Sequence, residues 1–559
     1  MSARSWPPDA APGVALGVRS RRWWDWRRLS SALVEGDPRT TRRTLWWLIG
    51  LAAAALGLYV ALLGPTYALA GAVGVAAAIL VLRSTRWGFI VLAAVIWILP
   101  FAAFPFKLGF TPTFLDAALL ALFFVWLVRI ATGQDRAFVF SPLGGLVLLF
   151  LALAMFTFVM GATHAMPTQQ IMRQFIEVVI SIALFFVAVN EIRTREDVDW
   201  LTRVLIIGGG VCALIAVVFY VIPDVWTVRI LDGLARLKYP GGYGALRYIE
   251  DDPNNPMRAI GLAVDPNVLG GMMILAAGLT APQFFSRSPL LPRVWISAIF
   301  VVQVLALYLT YSRSALMGLG LSLLILASLK YRRLLILGLL AAALLLLLPQ
   351  TQAYVARLLA GLRGEDLATQ MRFGEYKDAL LLIGRYPWFG VGFSGTPDID
   401  IYIGVSSAYL LMAEEMGLSG LLVFLTVIAS FFAFLWRTWR RGLAAGRDAV
   451  LLGLGGALGG ALAAATLDHY LFNLTYPHMS SLLWLYIGLA VAAALVERGA
   501  SRSDGGRFLR KSTIVERDIG QEIPDGIQGI KAFKAGQGEL RTRHDVETVI
   551  NTNEVEARI

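Results

Sequence analysis

The chain predicts an all-α polytopic membrane protein with about fourteen transmembrane helices and one large, partly helical outer loop. Three observations carry this. Of its 559 residues 57% are hydrophobic and only 16% charged, far from the balance of a soluble domain. Apolar runs near the roughly 20 residues needed to cross hydrocarbon as a helix recur along the chain, because unpaired backbone amides are not tolerated in lipid. Lysine and arginine gather in alternate short loops, the pattern that fixes orientation.

Residues 1–44 are a polar leader, basic from Arg19 through Arg43, and read as a cytoplasmic tail beside anionic lipid headgroups. The first apolar run begins only near Leu45, so no cleavable signal peptide is expected and the first helix directs insertion. Residues 45–348 then hold the first part of a membrane domain. Its spans run near Leu45 to Gly64, Thr66 to Leu82, Trp87 to Phe104, Phe114 to Val128 and Leu143 to Gly161. Met172 to Asn190, Trp200 to Ile222, Ala259 to Phe284, Val294 to Thr310, Ser314 to Leu329 and Leu334 to Leu348 follow. After a long loop, 349–407, residues 408–497 supply Ala408 to Trp436, Ala449 to Leu467 and Ser481 to Val496. Residues 498–559 are polar and charged and are expected to form a flexible cytoplasmic tail.

With the N-terminus cytoplasmic, the inner loops hold Arg83, Arg86, Arg129, Arg136, Arg193, Arg195, Arg287, Arg293, Lys330, Arg332 and Arg333, then Arg437, Arg440, Arg441 and Arg447. Short outer turns around Pro65, Phe106 and Tyr470 carry almost no basic residue besides Lys107. Two outer loops, Pro223 to Arg258 and Pro349 to Ser407, are long and basic. Long loops translocate regardless of charge, and cations outside the membrane suit an anionic ligand.

The net charge of +11 does not point to nucleic acid, since the basic residues sit at helix ends and not in one patch interleaved with aromatics. One cysteine, Cys212, excludes an intrachain disulfide and a cysteine zinc cluster. The outer-side histidines His164, His469 and His478 show no metal-ligand spacing. Gly208 to Gly210 and Gly453 to Gly460 read as close helix packing, because no Lys-Ser or strand context makes them a nucleotide loop. Arg173 and Glu177, four apart, are expected to pair.

In the second long loop, Met371-Arg372-Phe373-Gly374-Glu375-Tyr376-Lys377-Asp378-Ala379-Leu380 has helical spacing, and Tyr386-Pro387-Trp388-Phe389-Gly390-Val391-Gly392 ends it in a turn. This resembles the large periplasmic loop of the bacterial O-antigen ligase and O-antigen polymerase family, where an arginine begins a helix finished by Pro-x-x-Gly-x-Gly. Glu415-Met416-Gly417 looks like that family's Glu-x-Gly element, Ser312-Arg313 its Ser-Arg signature, and Asp265-Pro266-Asn267 its Asp-Pro-Asn segment. The pieces cover about Gly261 to Gly420. Family ligases often place His-Asn before the following Tyr-Leu; Ser406 and Ser407 stand there instead, which leaves room for a polymerase with another proton acceptor.

The resemblance implies a membrane glycosyltransferase of the GT-C type, working at the periplasmic face of the bacterial inner membrane in O-antigen or exopolysaccharide synthesis. Its donor would be an oligosaccharide on a polyprenyl (undecaprenyl) diphosphate, its acceptor a glycan or lipid, and neither cofactor nor metal is required. Arginine suits the leaving diphosphate because guanidinium stays charged and binds phosphate oxygens two at a time. By resemblance and charge, Arg313 and Arg372 are the expected diphosphate ligands. Glu415 is a candidate orienting or proton-accepting carboxylate, and His469 and His478 are candidate bases. Arg258, Asp265, Asn267, Tyr376, Lys377, Arg385, Ser406 and Ser407 are candidate substrate-binding residues. A transporter or lipid-linked glycan flippase is the rival reading; midplane charges between repeated halves would favour it, whereas the charges here gather at the outer face and no internal repeat is visible.

Overall fold

The computed structural model describes residues 84–107, 109–133, 138–346, 367–395, 404–443 and 448–513, with scattered positions between 46 and 83 and at 352 and 363; side chains at 337, 341–342, 344–346, 367–368 and 500–513 are not described. The basic leader, much of the first two expected spans, Arg357, Arg447 and the tail beyond 513 lie outside the described residues. Contacts divide the chain into residues 1–80 and 81–559. Described positions of the first unit are helical; the second carries the fold that follows.

Helices α1 (Thr85–Ile98), α2 (Phe114–Ala131), α3 (Gly144–Gly161), α4 (Gln169–Glu191) and α5 (Arg195–Val221) come first. A non-membrane stretch then holds α6 (Asp224–Leu234) and an antiparallel pair, β1 (Arg247–Tyr248) and β2 (Met257–Arg258), with Arg247 opposite Arg258. The bundle resumes with α7 (Pro266–Thr280), α8 (Arg293–Leu309), α9 (Arg313–Leu329) and α10 (Arg332–Leu346). Helix α11 (Leu367–Arg385) lies within the long loop, and α12 (Ala408–Arg440), α13 (Asp448–Ala464) and α14 (Pro477–Thr513) close the chain.

Local chemistry sets the ends. Thr113 with Asp116 and Thr194 with Asp197 form reciprocal capping boxes at α2 and α5, satisfying amides that a helix start leaves open. Apolar composition then decides the environment. Seven helices among the described residues are long and apolar enough to cross a membrane, namely α2, α3, α4, α5, α7 with its 3-10 extension to Phe285, α12, and α14 as far as Gly499. On α2, Leu120, Phe124 and Leu127 point outward and are each more than half exposed, which is stable only against lipid. The protein is a multi-pass helical membrane protein.

Every expected span from Trp87 onward contains a helix, and seven helices among the described residues have the length and apolar composition of a crossing, where about fourteen spans are expected from the sequence. Helices α8, α9 and α13 have only 17 residues each. Such a helix rises about 25 Å, at the short end of what crosses the roughly 30 Å hydrocarbon layer. The Ala259 to Phe284 span is corrected most: Asp265 caps a helix beginning at Pro266, and residues 259–265, after the strand, are irregular apart from a 3-10 turn at Gly261–Ala263. A proline ring fits the first helical position and excludes an earlier start.

Helix α7 is the hub, packed by α5, α8, α9 and α13, and 89% of its apolar window is buried. Glycines permit that density. A Cβ at Gly460 would lie 2.3 Å from Gly318 O, and one at Gly209 would lie 2.5 Å from Ala276 Cβ, so both glycine clusters serve close helix contact. Arg173 pairs with Glu177 at 2.8 Å and also with Asp116 at 3.0 Å, which neutralises charges that lipid-level burial would otherwise forbid.

Candidate functional site

The candidate site forms where α7 and α9 begin and α8 and α13 end. Asp265 accepts the amides of Asn267 and Val268 at 2.8 and 3.0 Å, so this carboxylate anchors the start of α7. Arg258, at the end of β2, donates to Thr310 O and Asn267 Oδ1, both at 2.8 Å. That guanidinium ties the β1–β2 pair to the α8–α9 turn and to α7 together. The turn itself is tight: Tyr311 has φ 52°, a left-handed conformation a tyrosine rarely adopts. It aims Arg313, the first residue of α9, while Ser312 and Ser314 on either side are buried.

Asp468 is the centre of the cluster. It lies in the turn after α13, is buried, and accepts Ser314 Oγ at 3.3 Å. Arg372 of α11 brings Nη2 to 4.0 Å from the same Oδ2 atom. The two arginine-bearing helices therefore meet on one carboxylate: Arg372 faces it, and the residue after Arg313 donates to it. Burial holds the Asp468 carboxyl above the ordinary carboxylate range, the positive charges of Arg372 and His469 oppose that, and the nearby Asp265 carboxylate adds to it. Tyr476 is also raised, first by burial and then by the Asp265 and Asp468 carboxylates. Nothing in the sequence patterns singles out Asp468 beyond its place directly after an apolar run, where an acid is costly and so informative.

A second set of bonds fixes α11 over this point. Glu375 Oε2 accepts both the Ser406 amide at 3.0 Å and its hydroxyl at 2.6 Å. Tyr376 donates to Ser406 O at 3.2 Å, and Ser407 caps α12. The Ser406–Ser407 pair thus clamps the loop helix α11 to the start of α12. Beyond α11, the turn at Pro387 docks by backbone alone. Val391 and Gly392 amides donate to the Glu414 and Glu415 carbonyls at 2.8 and 3.0 Å, and Leu418 N donates to Pro387 O at 2.7 Å. These bonds exist because α12 is broken at Gly417, φ 69° and ψ −177°, which frees the carbonyls that a continuous helix would use.

The remaining expected residues divide. His469 is half-buried with its ring 6.2 Å from that of Tyr476, and its Nδ1 has no hydrogen-bond partner among the described residues. His478 is fully buried, its ring 5.1 Å from Phe101, with neither nitrogen bonded among the described residues. Lys377 and Arg385 are exposed on α11. Glu415 is buried in α12, and beside it Glu414 is buried within electrostatic reach of Glu375 and Asp378. The arrangement juxtaposes cations, a buried carboxylate and an unbonded imidazole nitrogen, a set able to hold an anion and move a proton.

Residues 298–425 match the family model described as O-Antigen ligase. The match runs from α8 through the broken start of α12, and so includes Arg313, Arg372, the Pro-x-x-Gly-x-Gly turn and Gly417. It supports an O-antigen ligase/polymerase-like family. Arg258, Asp265, Asn267, Asp468, His469 and His478 lie outside that stretch; the fold carries them to it or near it. A second likeness is to the probable peptidoglycan glycosyltransferase FtsW of Thioalkalivibrio sulfidiphilus (strain HL-EbGR7), 34% identical over 142 residues, which are 25% of this chain and 34% of that protein. The chain thus spans about a third of the length of that curated relative. Over residues 298–425 the chain is similar to O-antigen ligases.

Proposed function

We propose that the protein is a glycosyltransferase that transfers or polymerises glycan from a polyprenyl-diphosphate-linked donor at the periplasmic face of the inner membrane, with both termini cytoplasmic. What carries the reading is the meeting of α9 and α11 on Asp468, which puts the Arg372 guanidinium beside the start of α9 at one end of an apolar bundle. A lipid carrier keeps its tail among apolar helices and its diphosphate at the helix ends. There Arg313 and Arg372 bind the phosphate oxygens, and their attraction grows as the sugar–oxygen bond breaks and charge accumulates on the departing diphosphate. An acceptor hydroxyl attacks the anomeric carbon, its proton passing to a base, for which His469 and Asp468 are the nearest groups. Arg258, Asp265, Asn267, Tyr376 and the Ser406–Ser407 clamp shape the site, Glu415 holds the loop turn through its carbonyl, Lys377 and Arg385 add positive charge at its rim, and no step requires a metal. His478, sealed against Phe101, acts only if the site opens.

The test is reconstitution. Purified protein in proteoliposomes is given lipid-linked oligosaccharide, and products are separated by size. Longer lipid-linked chains mark a polymerase and glycan on a different acceptor marks a ligase; movement of unaltered donor across the bilayer would instead identify a flippase and reject the proposal.

A further inference from the structure

The far end of α12 carries a second cationic feature. Arg437 and Arg441 stand one turn apart and exposed. Arg498 of α14 reaches beside them, its Nε donating to Thr438 Oγ1 at 2.8 Å and its guanidinium carbon 4.0 Å from the Phe434 ring centre. The three arginines, with Ser430 and the Pro142–Leu143 corner, line a cavity of about 360 Å³. Across Ala433 lies a second cavity, of about 380 Å³, whose lining is wholly apolar and includes Phe432, Trp436 and Trp439. Ala433 borders both.

We propose that these adjoining cavities form one site for an anionic membrane phospholipid, with the phosphate among Arg437, Arg441 and Arg498 and an acyl chain crossing Ala433 into the apolar cavity. Among the described residues the polar lining of the cationic cavity is Ser430 and the three arginines, a donor-rich set that suits an anion. Guanidinium forks match phosphate oxygens better than point charges do. A free phosphate would satisfy that cavity but leaves the apolar one beside it unexplained. Orientation rules account for arginines at this end, yet not for a lipid-sized apolar slot whose border with them is an exposed alanine. Basic recesses between membrane helices suit acidic headgroups, and Trp436, which lines the apolar cavity, is exposed. The site is independent of the glycan chemistry at the other end of α12.

The experiment uses the full chain purified in a zwitterionic detergent. Native mass spectrometry counts retained phosphatidylglycerol against phosphatidylcholine, and thermal midpoints are read with each lipid and with inorganic phosphate. One phosphatidylglycerol per chain is expected to persist where phosphatidylcholine is lost, with no stabilisation by inorganic phosphate. Arg437→Gln with Arg441→Gln should lower retention about tenfold or more, and Ala433→Trp, which leaves every charge in place, should also weaken it. If the glutamine pair does not fold, Arg437→Lys with Arg441→Lys keeps the orienting charge and should still lose several-fold. Unchanged retention in any of these variants, or stabilisation by inorganic phosphate equal to that by the lipid, overturns the proposal.

Discussion

Asp468 shows how a single side chain reorganises the candidate site. Arg372 and Ser314 come from helices far apart in sequence and converge on it, so a residue that no short motif marks is the one that joins two that are marked. Arg313 and Arg372 stand out in the sequence because each is a cation within a motif of an otherwise apolar chain, Arg313 at the start of α9 and Arg372 inside α11; Asp468 does not, because its contacts depend on which loops become neighbours. Its raised carboxyl value has a consequence for stability. Such a group holds a proton in the folded chain that the unfolded chain releases, so its burial costs stability above the folded value and nothing below the ordinary one. Asp468→Asn is therefore expected to raise the thermal midpoint relative to the parent more at about pH 7 than at about pH 4. It should also abolish glycan transfer, since Arg372 loses the charge it faces. A midpoint gain independent of pH would show that the carboxylate is not the source.

At the scale of elements, the Pro-x-x-Gly-x-Gly turn and the broken start of α12 are two halves of one joint. A Cβ on Gly417 would lie 2.3 Å from the Trp388 carbonyl carbon and oxygen, and one on Gly390 would lie 2.3 Å from Glu414 O. Both glycines also have positive φ. Gly417→Ala adds strain of about 1–3 kcal/mol and separates the backbones, so a clear fall in thermal midpoint and in folded yield is expected. Gly384→Ala is the control: it lies in α11 with nothing within 4 Å of a new Cβ, and alanine favours helix, so its midpoint should hold or rise slightly. Equal behaviour of the two variants would mean the joint bears no load. Sequence spacing announced the turn, since glycine pairs after proline have few other uses. It could not say what the turn meets, because docking uses carbonyls that any residue supplies. The span from Ala259 failed for a related reason: hydropathy continues through Asp265, but its side-chain cap and the following proline fix the helix start.

At the scale of the whole molecule, apolar runs placed the helices from α1 onward because lipid punishes any other backbone arrangement. Their count as crossings was less legible, since 17-residue helices such as α8 and α9 look in sequence like longer ones. Orientation can be read directly. Cys212 is the one cysteine of the sequence, so a Cys212→Ser parent should be silent to a membrane-impermeant maleimide. Tyr243→Cys in that parent, at an exposed position of the strand-pair loop, should label from outside in spheroplasts, and Arg441→Cys only after permeabilisation; the reverse would invert the topology. The central claim is that two guanidiniums at one end of the bundle hold the diphosphate of a lipid-linked glycan. It is tested most directly by the rate of polyprenyl diphosphate release from that donor by reconstituted protein, for the parent and for Arg313→Lys and Arg372→Lys. Lysine keeps the charge but loses the paired hydrogen bonds, and each variant is expected to slow release about 100-fold or more with an unchanged thermal midpoint. Parental release rates in the double lysine variant would contradict the account.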